Sequence, residues 1–237
     1  MSENSNSIHF LVELRTKLIY SLILLFSLFT ILVYFANELY TLLAFPLLKF
    51  LPQGHLIATQ IVSPFFIPFK LAFWLAILLA MPFFLYQLWT FIAPALYRYE
   101  RRFVWPLLLL STSLFYAGIA FAYLVIFPIL FRFLSNTVPQ GVVLSPDIAE
   151  YLDFTVHLLL VFGIIFEIPI VMTILVSMNI VSRTRFILMR PYAIVCAFVI
   201  GMLFSPPDVL SQIILAIPIC LLYEAGIMLS NLVNKKS

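Results

Sequence analysis

Three carboxylates stand out in this chain by their position. Glu167 lies in Phe162-Gly163-Ile164-Ile165-Phe166-Glu167-Ile168-Pro169, midway along an apolar run. An ionisable group at that depth costs roughly 2.5–3.5 kcal/mol on insertion scales, so its presence points to function. Two readings stand for it. In the first it handles protons or docks a partner helix. In the second, protonated, it satisfies backbone groups freed by Pro169, whose missing N–H leaves a carbonyl near Ile165 without its helical donor. The first is favoured. Gln212, in the last apolar run, is the second polar group of this kind. Glu13 and Glu100 lie instead at the ends of apolar runs beside arginine: Glu13 precedes Arg15, and Glu100 precedes Arg101 and Arg102. By spacing alone, each is a surface ion pair worth at most ~1 kcal/mol.

Hydrolytic, metal and nucleotide chemistry find no support. The histidines His9, His55 and His157 form no H-E-x-x-H and no pair at helical spacing, and there is no G-x-S-x-G, P-loop or Gly-rich fingerprint. His157 reads as a satisfied helix histidine. Cys196 and Cys220 fall inside apolar runs and read as small buried hydrophobes. No catalytic residue, metal site or cofactor is assigned, and the chain is expected not to be an enzyme.

The elements that must hold these residues follow from composition. Of 237 residues, 64% are hydrophobic and 10% charged, and mean hydropathy is +1.15. An average soluble domain has ~25% charged residues, so a soluble fold is excluded. The apolar runs are continuous and do not alternate, which argues against a β-barrel. The net charge of +3 is too small for a nucleic-acid footprint. The expected fold is all-α, a single polytopic membrane domain over residues 1–237. Its six spans are placed near 18–36, 71–91, 104–131, 154–176, 192–204 and 209–223. The basic residues before the first run suggest a signal peptide, but the run is too long and no A-x-A site follows, so it reads as a retained helix.

Charge sets the expected orientation. Arg15, Lys17, Arg98, Arg101, Arg102, Arg183, Arg185, Arg190, Lys235 and Lys236 fall on one side, and of the 13 basic residues only Lys49, Lys70 and Arg132 fall on the other. The positive-inside rule then puts both termini in the cytoplasm. On the outer side, residues 37–68 carry Pro46, Pro52, Pro64 and Pro68 yet stay apolar, so they are expected to pack as a cap. The acidic end of 132–153, with Asp147, Glu150 and Asp153, reads as a solvated face. The fifth span reaches roughly 20 Å against a hydrocarbon core of about 30 Å. The turn Ser205-Pro206-Pro207-Asp208 should therefore sit below the outer surface, in a thinned bilayer or a water-filled recess.

Four segments, in order, resemble the TatC family, the polytopic receptors of twin-arginine protein export. They are His9-x-x-x-Glu13-Leu14-Arg15; Tyr86-Gln87-x-Trp89-x-Phe91-x-x-Pro94-Ala95-Leu96-Tyr97-x-x-Glu100-Arg101; Phe162-Gly163-x-x-Phe166-Glu167-x-Pro169; and Ser205-Pro206-Pro207-Asp208. The resemblance runs nearly end to end. Lys17 stands where many members have Arg, Ser205 where the turn usually begins with Thr, and Phe10 where Leu is usual.

The resemblance implies the core receptor of a translocase, with its helices in a concave arrangement and the last two spans short. It would sit in a bacterial cytoplasmic (inner) membrane. Its ligands would be the Arg-Arg signal peptides of folded cargo, received at Glu13 and Glu100, with Leu14, Arg15, Pro94 and Arg101 in the same signatures. A guanidinium offers a planar fork that matches a carboxylate bidentately, which an ammonium does not. Phe91 and Leu96 would line the adjacent apolar surface, and Arg101 and Arg102 would confine the negative field. Glu167, Gln212 and Ser205 would form the polar site where the single-span Tat proteins of types A and B dock. Asp208 would hold the outer recess, and Pro46 would be structural. Self-association in a multi-copy complex is expected, with no nucleic-acid partner. Export would draw on the proton-motive force. The alternative is a proton-coupled small-solute transporter using Glu167, against which stands the lack of an internal repeat.

Overall fold

The computed structural model of the chain describes residues 2–48, 57–59, 62–92, 104–137, 145–204 and 208–234. Among them the elements are helices, apart from one isolated bridge between Ile57 and Asp147. In order they are α1 (Ser2–Tyr34), α2 (Ala36–Leu48), α3 (Ser63–Ile92), α4 (Val104–Phe121), a π-helical turn (Ala122–Ile126), α5 (Phe127–Thr137), α6 (Ile148–Phe166), α7 (Ile168–Ser177), α8 (Arg183–Leu188), α9 (Arg190–Phe204) and α10 (Val209–Asn234). Helices suit this composition because each satisfies its backbone groups internally, as hydrocarbon requires.

Among the described residues five helical stretches are long and apolar enough to cross a membrane: Arg15–Tyr34, Ser63–Thr90, Trp105–Ser135, Ile148–Ser177 and Val209–Asn231. The shorter apolar helix α9 has 15 residues, so its rise is about 22 Å against a core of ~30 Å. The last apolar run, placed near 209–223 by sequence, continues without a break as a 26-residue helix to Asn234. It passes through Glu224, a good helix former, whose carboxylate accepts from Arg190 Nη2 at 2.7 Å.

Proline explains where the long spans depart from regularity. The Pro128 ring would crowd the carbonyl four residues back. The turn before it widens to a π-helix, in which the Phe127 N–H donates to the Ala122 carbonyl five residues earlier. Pro169 disturbs α6 in the opposite sense, by a tightened last turn. The Glu167 N–H turns to the Ile164 carbonyl at 3.0 Å, α6 stops, and α7 begins. The chain leaves α7 through Asn179 at φ 57°, with the Ile180 N–H donating to Leu175 O at 3.0 Å. Asn tolerates this left-handed helix cap.

The chain forms two compact units. Unit 1 comprises Met1–Leu42 and Val62–Thr112. Here α1 runs along α3, and Phe29 meets Phe73 edge to face at 6.3 Å. The Trp89 indole N–H donates to the buried Ser111 hydroxyl at 3.1 Å, tying α3 to α4. Most of the span on α1 is exposed, with only 6% of its residues buried. In water that surface would be a liability, whereas in a bilayer lipid tails are as apolar as leucine and cover it without penalty.

Unit 2 comprises Leu43–Ile61 and Ser113–Ser237. Its helices approach closely at small residues, the usual packing mode in lipid. A methyl group added at Gly163 would lie 2.5 Å from the Phe115 ring, and one at Gly226 would lie 2.6 Å from Met172 Sδ. Met172, Val176, Phe186 and Ile227 form one buried cluster of α7, α8 and α10, and Ile165, Ala197, Ala216 and Ile219 form another of α6, α9 and α10.

The segment at residues 57–59 docks onto the start of α6. Asp147 caps that helix: Oδ1 accepts from the N–H groups of Ala149 at 2.7 Å and Glu150 at 3.2 Å. Its Oδ2 accepts from Thr59 N–H at 2.8 Å and Thr59 Oγ1 at 2.6 Å. Tyr151, one turn on, donates to the Leu43 carbonyl at 2.7 Å. This corrects the reading of Asp147 as part of a solvated acidic face: it is 9% exposed. Four hydrogen bonds to one carboxylate offset its desolvation.

Candidate functional site

The first and second signature segments meet through the helices of unit 1. Ser21 on α1 is buried, and its hydroxyl lies 2.7 Å from Gln87 Oε1, to which it donates, and 2.9 Å from the carbonyl of Lys17. The Gln87 amide in turn donates Nε2–H to that same carbonyl at 3.1 Å. A polar tie therefore fixes α1 to the C-terminal third of α3, two residues before Trp89 makes its own tie to α4. Glu13 stands one turn before Lys17 on α1, about 6 Å along the axis at 1.5 Å per residue. Arg15 is exposed there. Phe91 belongs to the last turn of α3. Pro94, Leu96, Glu100 and Arg101 lie outside the described residues. Of the expected receptor residues, Glu13, Leu14 and Arg15 are thus carried by α1 and Phe91 by α3, on a helix pair locked by groups to which sequence reading gave no role. The available signal was the pairing of Gln87 and Trp89 inside a quoted motif.

A cleft of about 510 Å³ opens between α1 and α3 beside this tie, with Lys17, Tyr20, Leu24 and Ser27 on one wall and Phe83, Tyr86, Gln87 and Thr90 on the other.

In unit 2, Glu167 is 8% exposed and sits at the α6–α7 break. Its carbonyl accepts from the N–H groups of Ile170 at 3.1 Å and Val171 at 3.0 Å, while Thr173 Oγ1 returns a bond to Pro169 O at 2.7 Å. Gln212 is elsewhere. Its Nε2 donates to the Phe198 carbonyl at 2.8 Å, joining α10 to α9, and Gly201 lets the two backbones close up there. The register separates it from Glu167. Ile165 packs with Ala216 and Ile219, and Pro169 approaches Gly226, so Glu167 is level with about residues 220–223. Gln212 is then two to three turns away, roughly 12–16 Å at 1.5 Å per residue.

Asp208 caps α10, its Oδ2 accepting from Ser211 N–H at 2.7 Å. Ser205 lies outside the described residues, and Pro46 falls on α2. His157 meets its expectation, with Nδ1 2.6 Å from Asp153 O. At the opposite ends of α9 and α10 the Arg190–Glu224 pair is half-exposed, and the Tyr223 hydroxyl donates to Phe186 O at 2.9 Å. Among the described residues no group of His, Cys, Asp or Glu could hold a metal ion.

The electrostatics are sharpest at Asp147. The Thr59 hydroxyl and N–H hold its carboxyl at about 2, aided by the Ala149 and Glu150 amides and opposed by desolvation.

Comparison with known proteins agrees with this arrangement. The family described as "Sec-independent protein translocase protein (TatC)" matches residues 9–218. The Escherichia coli (strain K12) protein of that name is 51% identical over 222 residues, covering 93% of this chain and 86% of its own length. The Haemophilus influenzae protein is 47% identical over 237 residues, covering 100% of this chain and 93% of its own. A crystal structure titled as the twin arginine translocase receptor TatC superposes with a TM-score of 0.86 at 39% identity, over 95% of this chain and 99% of that one. All-helical, multi-pass in composition and related along nearly its whole length, this chain belongs to the TatC family of Sec-independent protein translocase proteins.

Proposed function

We propose that this non-enzymatic translocase component is the receptor that reads the Arg-Arg signal of folded cargo at its cytoplasmic face. Glu13 and Glu100 each accept one guanidinium in a bidentate pair, and Leu14, Phe91, Pro94 and Leu96 contact the residues that follow. Arg101 and Arg102 confine the negative field to one patch, and Arg15 belongs to the same receptor surface. The observation that carries this reading is the Ser21–Gln87–Lys17 tie. It anchors the helix bearing Glu13 to the helix leading into the segment that bears Glu100. A fork-shaped cation needs its two acceptors held at fixed positions, because the geometry of the pair supplies the selectivity for Arg over Lys.

Glu167, at a helix break inside the membrane, serves to dock the single-span Tat proteins of types A and B. Gln212 on α10 and Ser205, shortly before it in sequence, serve the same partner proteins, Gln212 at a separate contact roughly 12–16 Å along from Glu167 by the rise per residue. Both termini lie in the cytoplasm, several copies associate, and transport is driven by the proton-motive force, each charge moved through 100 mV yielding ~2.3 kcal/mol. Family membership sets aside the solute-transporter alternative.

The test is site-specific crosslinking in native membranes, with a probe beside Glu100 and signal peptides carrying Arg-Arg or Lys-Lys. Crosslinking to Arg-Arg alone, lost in Glu100→Ala while membrane insertion persists, is the expected outcome. Equal crosslinking of both peptides would reduce the site to unspecific charge attraction and defeat the fork argument.

A further inference from the structure

An exposed stripe runs along α8 and α9, and cargo recognition makes no use of it. We propose that its α8 end binds the phosphate of an anionic phospholipid in the cytoplasmic leaflet, with Arg185 as the group that receives it. The leaflet rests on the orientation given under the proposed function.

Helix register makes the stripe. α8 ends at Leu188 and α9 starts at Arg190, yet the hydrogen-bond ladder crosses the junction. The Met189 N–H donates to Arg185 O at 3.0 Å, and the Ala193 N–H to Met189 O at 3.0 Å. Arg185, Leu188, Tyr192, Val195, Val199 and Met202 then recur at steps of three and four, which places them on one face. All six are exposed. The other side of α8 is anchored. Phe186 is buried with Met172, Val176 and Ile227, and its carbonyl accepts from the Tyr223 hydroxyl at 2.9 Å. This anchorage keeps Arg185 on the outer side.

The stripe also says what lies against it. Its apolar part, Leu188 to Met202, rises about 21 Å, and lipid tails cover such a surface without penalty. A lipid lying along it brings its headgroup to the end where the apolar residues stop, at Arg185. Tyr192, one to two turns on, belongs to the same interfacial level.

Charge selects the headgroup. Residues 168–207 hold Arg183, Arg185 and Arg190 and no Asp or Glu. α8 touches α9 and α10, whose one carboxylate on the facing end, Glu224, is taken by Arg190 at 2.7 Å. Three guanidinium groups against one carboxylate leave a local excess of positive charge, which favours anionic over zwitterionic lipid. It also repels an Arg-Arg signal. The planar fork of Arg185 matches phosphate oxygens bidentately. Arg183 is about 200° round the helix from Arg185, off the stripe and on the side of Phe186. It contributes to the field without lying on the lipid face.

The test reconstitutes the full chain in phosphatidylethanolamine vesicles with a small fraction of phosphatidylglycerol or phosphatidylcholine, each carrying a photoreactive group on the acyl chain close to the glycerol. Labelled residues are mapped by mass spectrometry. Labelling at Leu188 and Tyr192 is expected to favour phosphatidylglycerol about fivefold. Arg185→Gln should bring the two lipids to parity, Arg185→Lys should keep part of the preference, and Arg183→Gln should keep most of it. Thermal melting checks that each variant is folded. Equal labelling by both lipids in the unaltered chain, or a preference that survives in Arg185→Gln, overturns the proposal. An equal loss in Arg183→Gln also overturns it, because a diffuse field would then account for the binding. So does displacement of phosphatidylglycerol by a micromolar acidic peptide in physiological salt, which would make this surface a protein contact. Protease access to a C-terminal tag in native membranes tests the orientation separately, and Arg-Arg crosslinking near Glu100 tests the receptor reading.

Discussion

Replacing Gln87 probes whether the α1–α3 tie holds the receptor surface together. Its carboxamide makes two bonds to α1, one from Ser21 Oγ at 2.7 Å and one to Lys17 O at 3.1 Å. Interhelical side-chain bonds in membrane proteins average ~0.6 kcal/mol and reach ~1.7. Two of them set the cost of Gln87→Leu at about 1–2 kcal/mol, a factor of roughly 5–30 in the folded ratio. The loss is not larger because Ser21 Oγ also lies 2.9 Å from Lys17 O and can turn back onto its own helix. Ser21→Ala has no such retreat, since it leaves Gln87 Oε1 without its Ser21 donor. A double-mutant cycle between the two, read from unfolding in mixed micelles, should give a coupling near ~0.6 kcal/mol. Crosslinking of an Arg-Arg peptide to a probe beside Glu13 should weaken in Gln87→Leu. A coupling of zero, or full crosslinking in a measurably destabilised Gln87→Leu protein, would refute the idea that this tie positions the site.

Other outcomes follow from the caps and the ion pair. The Asp147 carboxyl is depressed from 3.8 to about 2, so its contribution is fully present above about pH 4 and is lost as pH falls through about 2. Hydrogen exchange at residues 57–59 should rise over that acidic window. In Asp147→Asn, whose amide can keep the helix cap but turns an NH₂ toward the Thr59 N–H, exchange there should be high already at neutral pH. Asp208→Ala should destabilise by ~0.5–2 kcal/mol, with Asp208→Asn much milder, because the amide oxygen can still accept from Ser211 N–H; thermal unfolding measures this. Arg190→Ala should cost no more than ~1 kcal/mol, since the pair is half-exposed and screened, and a larger loss would mean that Arg190 supports more than Glu224.

Legibility varied with the kind of force involved. Hydropathy alone marks the spans, because burial in lipid is a property of each segment and needs no partner. The shortness of α9 was legible for the same reason. The role of Asp147 was not: Thr59 is 88 residues away, and nothing local distinguishes a capped, docked carboxylate from a solvated one. Gln212 illustrates the converse. Its polarity in an apolar run was obvious, but a helix register decides its neighbour, and that neighbour is the Phe198 carbonyl.

What the sequence determined by itself was the class of solvent, the helical content, and the identity of the four signature segments, since all of these are properties of residue type and order. Tertiary structure alone decided that Gln87 and Ser21 join two helices 66 residues apart in sequence, that Glu167 and Gln212 stand at different levels along α10, and that a cleft opens between α1 and α3 beside Lys17. These depend on how far one helix slides and turns against another, which close approaches at glycine and single polar contacts settle and no run of residues encodes locally.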